Sequence, residues 1–173
     1  MRFNPQPTLS DELLLLQPLQ ADDFERLYAV AADPLLWAQH PNPDRWQRPV
    51  FENFFRGAME SGGALLILHQ ETGAVMGSSR FYDWEQRPNT VFIGYTFFGR
   101  QFWGGRYNPA AKRLMVNYAL QSFERVLFHV GANNIRSQTA MERLGAQQIG
   151  TETVAYYGEP DRVNVLYALD TPL

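Results

Sequence analysis

The 173-residue chain contains no cysteine, which excludes disulfides, thiolate catalysis and cysteine-ligated metals. Histidine is scarce: His40, His69 and His129 are scattered, and no metal site is expected. Long apolar runs are missing near the N-terminus, where Leu13 to Leu16 is far too short for a signal core or a membrane span. The expectation is a cytoplasmic protein with no membrane partner. An excess of positive charge is missing too. Fifteen Lys and Arg stand against eighteen Asp and Glu, giving a net charge of −3. That balance predicts no nucleic-acid partner, since such proteins carry a basic stripe.

The composition that remains is that of a folded chain. Hydrophobic residues make up 45% and charged residues 19%, enough apolar surface to build a core without covalent staples. The length suits a single domain over residues 1–173. An aromatic content of 14% favours strands and pockets over a plain helical bundle.

Periodicity divides the chain into elements. Glu12 to Pro18 reads as a strand, and Phe24, Leu27, Tyr28 and Ala31 repeat at helical spacing behind Asp22 as N-cap. Asp33-Pro34 is expected to end that helix, and residues 38–49, with three prolines, to form a loop. A second helix is expected from Val50 to Met59. Strands follow over 64–69, 74–84 and 90–98, then a glycine-containing turn from Gly99 to Asn108. Pro109 to Phe123 reads as a helix with Asn108 as N-cap and Pro109 at N1. A strand over 126–130, a short helix from Ile135 to Leu144 closed by Gly145, and a hairpin of 147–157 with 164–170 complete the order. This order predicts an α/β (α+β) fold: a mixed, mostly antiparallel sheet of about seven strands flanked by about four helices.

Two stretches carry candidate chemistry. In Trp103-Gly104-Gly105-Arg106-Tyr107-Asn108, a glycine pair lies between a strand and a helix. Such a turn lets backbone N–H groups approach an anion, and the helix N-terminus adds partial positive charge. Arg100 and Arg106 flank it as possible phosphate partners. The second stretch is Asn134-Ile135-Arg136-Ser137, ending in Leu144-Gly145-Ala146. Helix capping alone accounts for Asn134 and Ser137, and a solvated tight turn alone accounts for the first stretch.

Together the two stretches, preceded by Ile93-Gly94-Tyr95, resemble the GNAT acetyltransferase superfamily. The likeness is to its Rim-type, ribosomal-protein N-terminal acetyltransferase branch. The resemblance implies that the strand carrying Tyr95 is bulged and splays from its parallel neighbour, with the pantetheine arm of acetyl-coenzyme A in the gap. It implies cofactor contacts from Tyr95, Phe97, Phe98, Arg100, Trp103, Gly104, Gly105, Arg106, Tyr107, Asn108, Asn134 and Ser137. It also implies transfer of acetyl from acetyl-CoA, as cosubstrate and without metal, to an amine acceptor, either a protein N-terminus or a small molecule, in a monomer or homodimer. Ser137 is the proton donor by analogy, with Tyr156 or Tyr157 as alternatives; Ser137 and Tyr157 stand as the catalytic candidates.

The sequence departs from the family pattern at two places. Arg106 replaces a small residue of the turn, so a guanidinium would add to the backbone grip on phosphate. Phe92 stands where an acidic residue commonly precedes Ile-Gly-Tyr, which leaves the general base to be reached through water or supplied from another element, with Asp83, Glu85 and His129 as candidates. These departures sustain a second reading, a catalytically degenerate acyl-CoA-binding module or scaffold.

Overall fold

A computed structural model describes residues 2–173. Eight strands form one sheet: β1 (Leu9–Ser10), β2 (Leu14–Pro18), β3 (Ala64–His69), β4 (Val75–Tyr82), β5 (Thr90–Phe98), β6 (Arg125–Gly131), β7 (Gln147–Tyr156) and β8 (Glu159–Leu169). Their order across the sheet is β1-β2-β3-β4-β5-β6-β8-β7. Only β5 and β6 run parallel; every other neighbour pair is antiparallel.

Five helices cover the sheet: α1 (Phe24–Ala31), α2 (Pro34–Trp37), α3 (Arg48–Ser61), α4 (Tyr107–Ala119) and α5 (Ile135–Arg143). The strands are apolar on both faces because both faces are covered. One face packs Leu65, Ile67, Phe81, Val91, Val126 and Phe128 against Met115 and Ala119 of α4 and Met141 of α5. The other packs Leu66, Leu68 and Phe97 against Leu27 of α1, Trp37 of α2 and the Phe51, Phe54 and Phe55 stripe of α3. None of the helices among the described residues is long and apolar enough to cross a membrane.

The expected elements are present, joined by the short unforeseen strand β1, with three further adjustments. Asp33-Pro34 does not simply end α1. Asp33 accepts a hydrogen bond from the Leu35 N–H, and Pro34, with no N–H to lose, opens α2. The chain also enters α4 two residues early, at Tyr107, with Arg106 as a cap that makes no side-chain bond. Asn108 is therefore inside the first turn, and Pro109 is tolerated there because first-turn N–H groups have no partner within the helix. The closing hairpin turns tightly at Tyr157 and Gly158, where Gly158 takes φ 64°, so β8 begins at Glu159 rather than Asn164.

The middle of β5 positions the site. Arg80 pairs with Gly94 and Ser78 with Phe97, so two steps along β4 match three along β5. The extra residue makes a bulge, with Tyr95 in the left-handed region at φ 53°. A one-residue insertion reverses the side-chain parity. Val91 and Ile93 accordingly face α4, whereas Phe97 faces α3.

Candidate active site

The same bulge turns β5 away from β6. The two strands pair only through Thr90, Val91 and Phe92 with Arg125, Val126 and Leu127, and then part. The gap opens into a cleft of about 440 Å³, walled by the second half of β5, the end of β6 and the first turns of α4 and α5.

At one end of the cleft lies the glycine turn. Gly104 has φ 68°, a conformation that favours glycine, and a Cβ at Gly104 or Gly105 would meet nothing within 4 Å. Trp103, Gly104, Gly105 and Asn108 all line the cleft. Trp103 is anchored by its indole N–H, which donates to the Phe98 carbonyl at 2.9 Å. Its ring carries the Arg136 guanidinium at 3.5 Å from the centroid. Arg143 lines the same region. Burial lowers the Arg136 pKa from its usual value.

Asn134 and Ser137 stand where the sequence predicts. Asn134 caps α5, its Oδ1 accepting from the Ser137 N–H at 3.3 Å, and both residues line the cleft. Asn134→Ala removes that cap and should cost about 1 kcal/mol in a denaturant titration. A larger loss of cofactor affinity than of stability would mark its side chain as a ligand contact as well.

Tyr95, Phe97 and Phe98 also line the cleft. Four other expected residues do not. Arg100 pairs with Asp33. Arg106 lies over the Tyr107 ring, 5.6 Å from its centroid. The Tyr107 hydroxyl meets His69 Nε2 at 3.3 Å. Tyr157 is 44% exposed, and its hydroxyl donates to Glu60 at 3.3 Å. Strand alternation turns its neighbour Tyr156 into the cleft instead, where the hydroxyl donates to Asn164 Oδ1 at 3.1 Å.

Among the three base candidates, Asp83 and Glu85 lie outside the cleft wall, and His129 is part of it. Phe92, in the acidic residue's place, stacks on the His129 ring with centroids 4.4 Å apart. His129 Nδ1 is 2.9 Å from the Tyr82 hydroxyl, and Nε2 is 2.7 Å from Glu152 Oε2. Arg87 holds the same carboxylate at 2.8 Å. Burial lowers the His129 pKa, and the hydrogen bond to Glu152 opposes this only in part. Burial also works to raise the Glu152 carboxyl, but His129 and Arg87 overcome it and leave it lowered. Glu152 is thus a carboxylate that can only accept, so Nε2 carries the proton and Nδ1 accepts from Tyr82. Burial raises Tyr82 well above the ordinary phenol value, so it stays protonated. A proton arriving at the Tyr82 oxygen can therefore pass to His129, which Glu152 stabilises once charged.

The loop before α3 closes one side of the cleft. His40, Pro41 and Arg45 line the cleft there, whereas Trp46 does not. Arg45 forms a bidentate ion pair with Glu159, with both side chains almost fully buried. Burial, reinforced by Arg45 and Arg136, drives the His40 pKa well below its usual value, so this ring is neutral. Sequence reasoning missed Arg136 and Lys112 as cleft residues.

Residues 14–147 match the profile of the Acetyltransferase (GNAT) domain family. The chain belongs to that family. Its fold is shared with GNAT structures of low sequence identity. One is a GCN5-related N-acetyltransferase from Brucella melitensis, with a TM-score of 0.79 and 17% identity over 96% of this chain and 82% of that one. Another is a probable GNAT acetyltransferase from Chromobacterium violaceum ATCC 12472, with a TM-score of 0.81 and 19% identity over 95% and 86%. A third, from Vibrio cholerae and assigned as a ribosomal-protein-serine acetyltransferase, gives a TM-score of 0.75 and 16% identity over 98% and 100%. No curated protein matches the sequence. The parting of β5 from β6 is the splay that the sequence resemblance implies.

Proposed function

We propose that the chain is an acetyl-CoA-dependent N-acetyltransferase of the Rim-type branch. It transfers acetyl to a primary amine, either a protein or peptide N-terminus or a small amine, by direct attack. The observation that carries this reading is one cleft with an anion-receptive turn at one end and the Tyr82–His129–Glu152 relay in its wall. The residues present suit the cofactor. The glycine turn and the start of α4 offer N–H groups to the pyrophosphate, with Arg136 beside them. The backbone of β5 beyond the bulge is free of β6 and so available to the pantetheine amides. Asn108 Oδ1, buried without a partner among the described residues, faces the same space.

In this reading the acceptor, as the free amine, loses one proton through Tyr82 to His129 as it is acylated, while the departing sulfur takes up one, with Ser137 and Tyr156 lining the same cleft. The activity resides in one domain spanning the chain and acting in the cytoplasm. The reading needs neither metal nor nucleic acid, and a monomer or a homodimer satisfies it. The test is thiol release from acetyl-CoA across a panel of peptides and small amines. Turnover with at least one acceptor supports the enzyme. Cofactor binding without turnover anywhere on a broad panel favours the non-catalytic module that Phe92 first suggested.

A further inference from the structure

Lys112 is the one lysine in the wall of the cleft, and the family resemblance gives it no role. It sits one helical turn beyond Asn108 on α4, with only 4% of the residue exposed. Its Nζ donates to Thr96 Oγ1 at 2.8 Å, at the bulge of β5. Thr96 in turn meets Ser79 Oγ of β4 at 2.8 Å. From β6 the Phe128 ring faces Nζ, 5.7 Å from its centroid. The groups set against Nζ are Thr96 and Phe128, with Ser79 behind Thr96 and Asn108 one turn back on the same helix, and none is charged. No carboxylate pairs with it among the described residues.

A lysine here is costly. The position lies on the apolar stripe of α4, three residues before the fully buried Met115, where a hydrocarbon side chain would pack without desolvating a charge. A buried, unpaired cation that lines a cleft is a candidate for chemistry. We infer that Lys112 is the cofactor-side acid of the proposed transfer, donating its proton to the coenzyme A sulfur as the thioester breaks.

This inference rests on the transferase reading above and completes its proton balance. The acceptor enters as the free amine, its ammonium proton already given to solvent; its nitrogen forms a bond to the acetyl carbon and loses one proton through Tyr82 to His129. The carbon–sulfur bond breaks with its electron pair on sulfur, which takes one proton from Lys112. Lys112 is left neutral and recovers its proton from solvent as products leave. The direction of this last transfer follows from acidity. Burial alone holds the Lys112 ammonium down to about 7. A lysine at its ordinary value of about 10.4 would not yield a proton to a thiolate whose conjugate acid lies near 8.5, but one near 7 does. The structure thereby separates the two proton carriers, with His129 on the α1–α3 side of the sheet and Lys112 on the α4 side.

The test compares wild type with Lys112→Met and Lys112→Arg, using hydroxylamine as acceptor because it stays unprotonated across the neutral range. In the wild type, kcat should fall as pH rises through about 7, as Lys112 loses its proton. Lys112→Met should lower kcat by roughly 100-fold and abolish that falling limb. Lys112→Arg should show the same loss, because arginine keeps its charge and does not release its proton. Two readouts are independent of turnover. Lys112→Met should unfold at a higher temperature than wild type at pH 7, since a buried cation has been removed. Wild type should also bind coenzyme A about ten-fold more tightly than desulfo-coenzyme A, and Lys112→Met should lose that preference.

A methionine variant with wild-type kcat and the same falling limb overturns the inference, as does a fully active arginine variant. Should the methionine variant fail to fold, the wild-type profile and the arginine variant still decide; a wild-type profile with no falling limb overturns it. If wild type binds neither coenzyme, the transferase reading itself fails and takes this inference with it. Binding and turnover that ignore Lys112 remove the inference alone.

Discussion

His129→Gln lowers kcat by about 10² to 10⁴-fold while leaving acetyl-CoA affinity nearly unchanged. Glutamine keeps a polar side chain near Tyr82 but cannot take up a proton. The pH profile identifies the residue. His129 must be neutral to accept a proton, and burial lowers its pKa below the ordinary 6.5. The acid limb of the wild-type profile therefore lies below that ordinary value, and the variant lacks this limb. Glu152→Gln adds a second check. It removes the carboxylate that favours the charged ring, so the limb should move to still lower pH and kcat should fall. A glutamine variant at position 129 with wild-type kcat would return the base to another group.

Glu159→Gln destabilises the protein by about 3–5 kcal/mol, read as a lower midpoint in denaturant. The reason is geometric. Arg45 is 1% exposed, and both oxygens of Glu159 hold it, at 3.1 and 2.9 Å. Glutamine leaves the buried guanidinium without a counter-charge, facing at most one amide oxygen and an amide donor, with His40 Nε2 at 3.3 Å and the Phe54, Trp37 and Tyr156 rings around it. The pair itself need not stabilise the fold by that amount, because two apolar residues of similar volume would avoid the desolvation of both ions. Arg45→Met with Glu159→Leu should accordingly recover most of the loss. The pair also ties the loop before α3 to the β7–β8 hairpin, so the single variant should weaken acceptor use more than cofactor binding. A change below 1 kcal/mol in Glu159→Gln would contradict this account of the acceptor wall.

Much of this frame is legible in the sequence, because it is written in local signals. Apolar runs bounded by glycine and proline mark the strands. Asn134 and Ser137, three apart at a strand end, mark the N-terminus of α5. The glycine turn between β5 and α4 marks one end of the cleft. The bulge is different. Nothing in Ile93-Gly94-Tyr95-Thr96 states that Tyr95 adopts φ 53°; the mismatch with β4 decides it, and only the family resemblance foresees it. The parity of Tyr156 and Tyr157 is likewise set by the register of a tight hairpin, which turns Tyr157 to Glu60 and Tyr156 to the cleft. Arg45 and Glu159 are 114 residues apart and no spacing rule joins them. Lys112 did leave a signal, since a lysine three residues before Met115 on the apolar stripe of a helix is out of place. Arg136 was in view too, within the stretch that carries Asn134 and Ser137, but its stacking on Trp103 depends on two loops meeting in space.

The account depends on one property above the others, that the gap between β5 and β6 receives acetyl-coenzyme A. Calorimetric titration of the wild-type protein with acetyl-CoA tests this most directly. The account predicts a 1:1 complex that Arg136→Ala weakens, through loss of the guanidinium stacked on Trp103. No detectable binding at millimolar cofactor would contradict it.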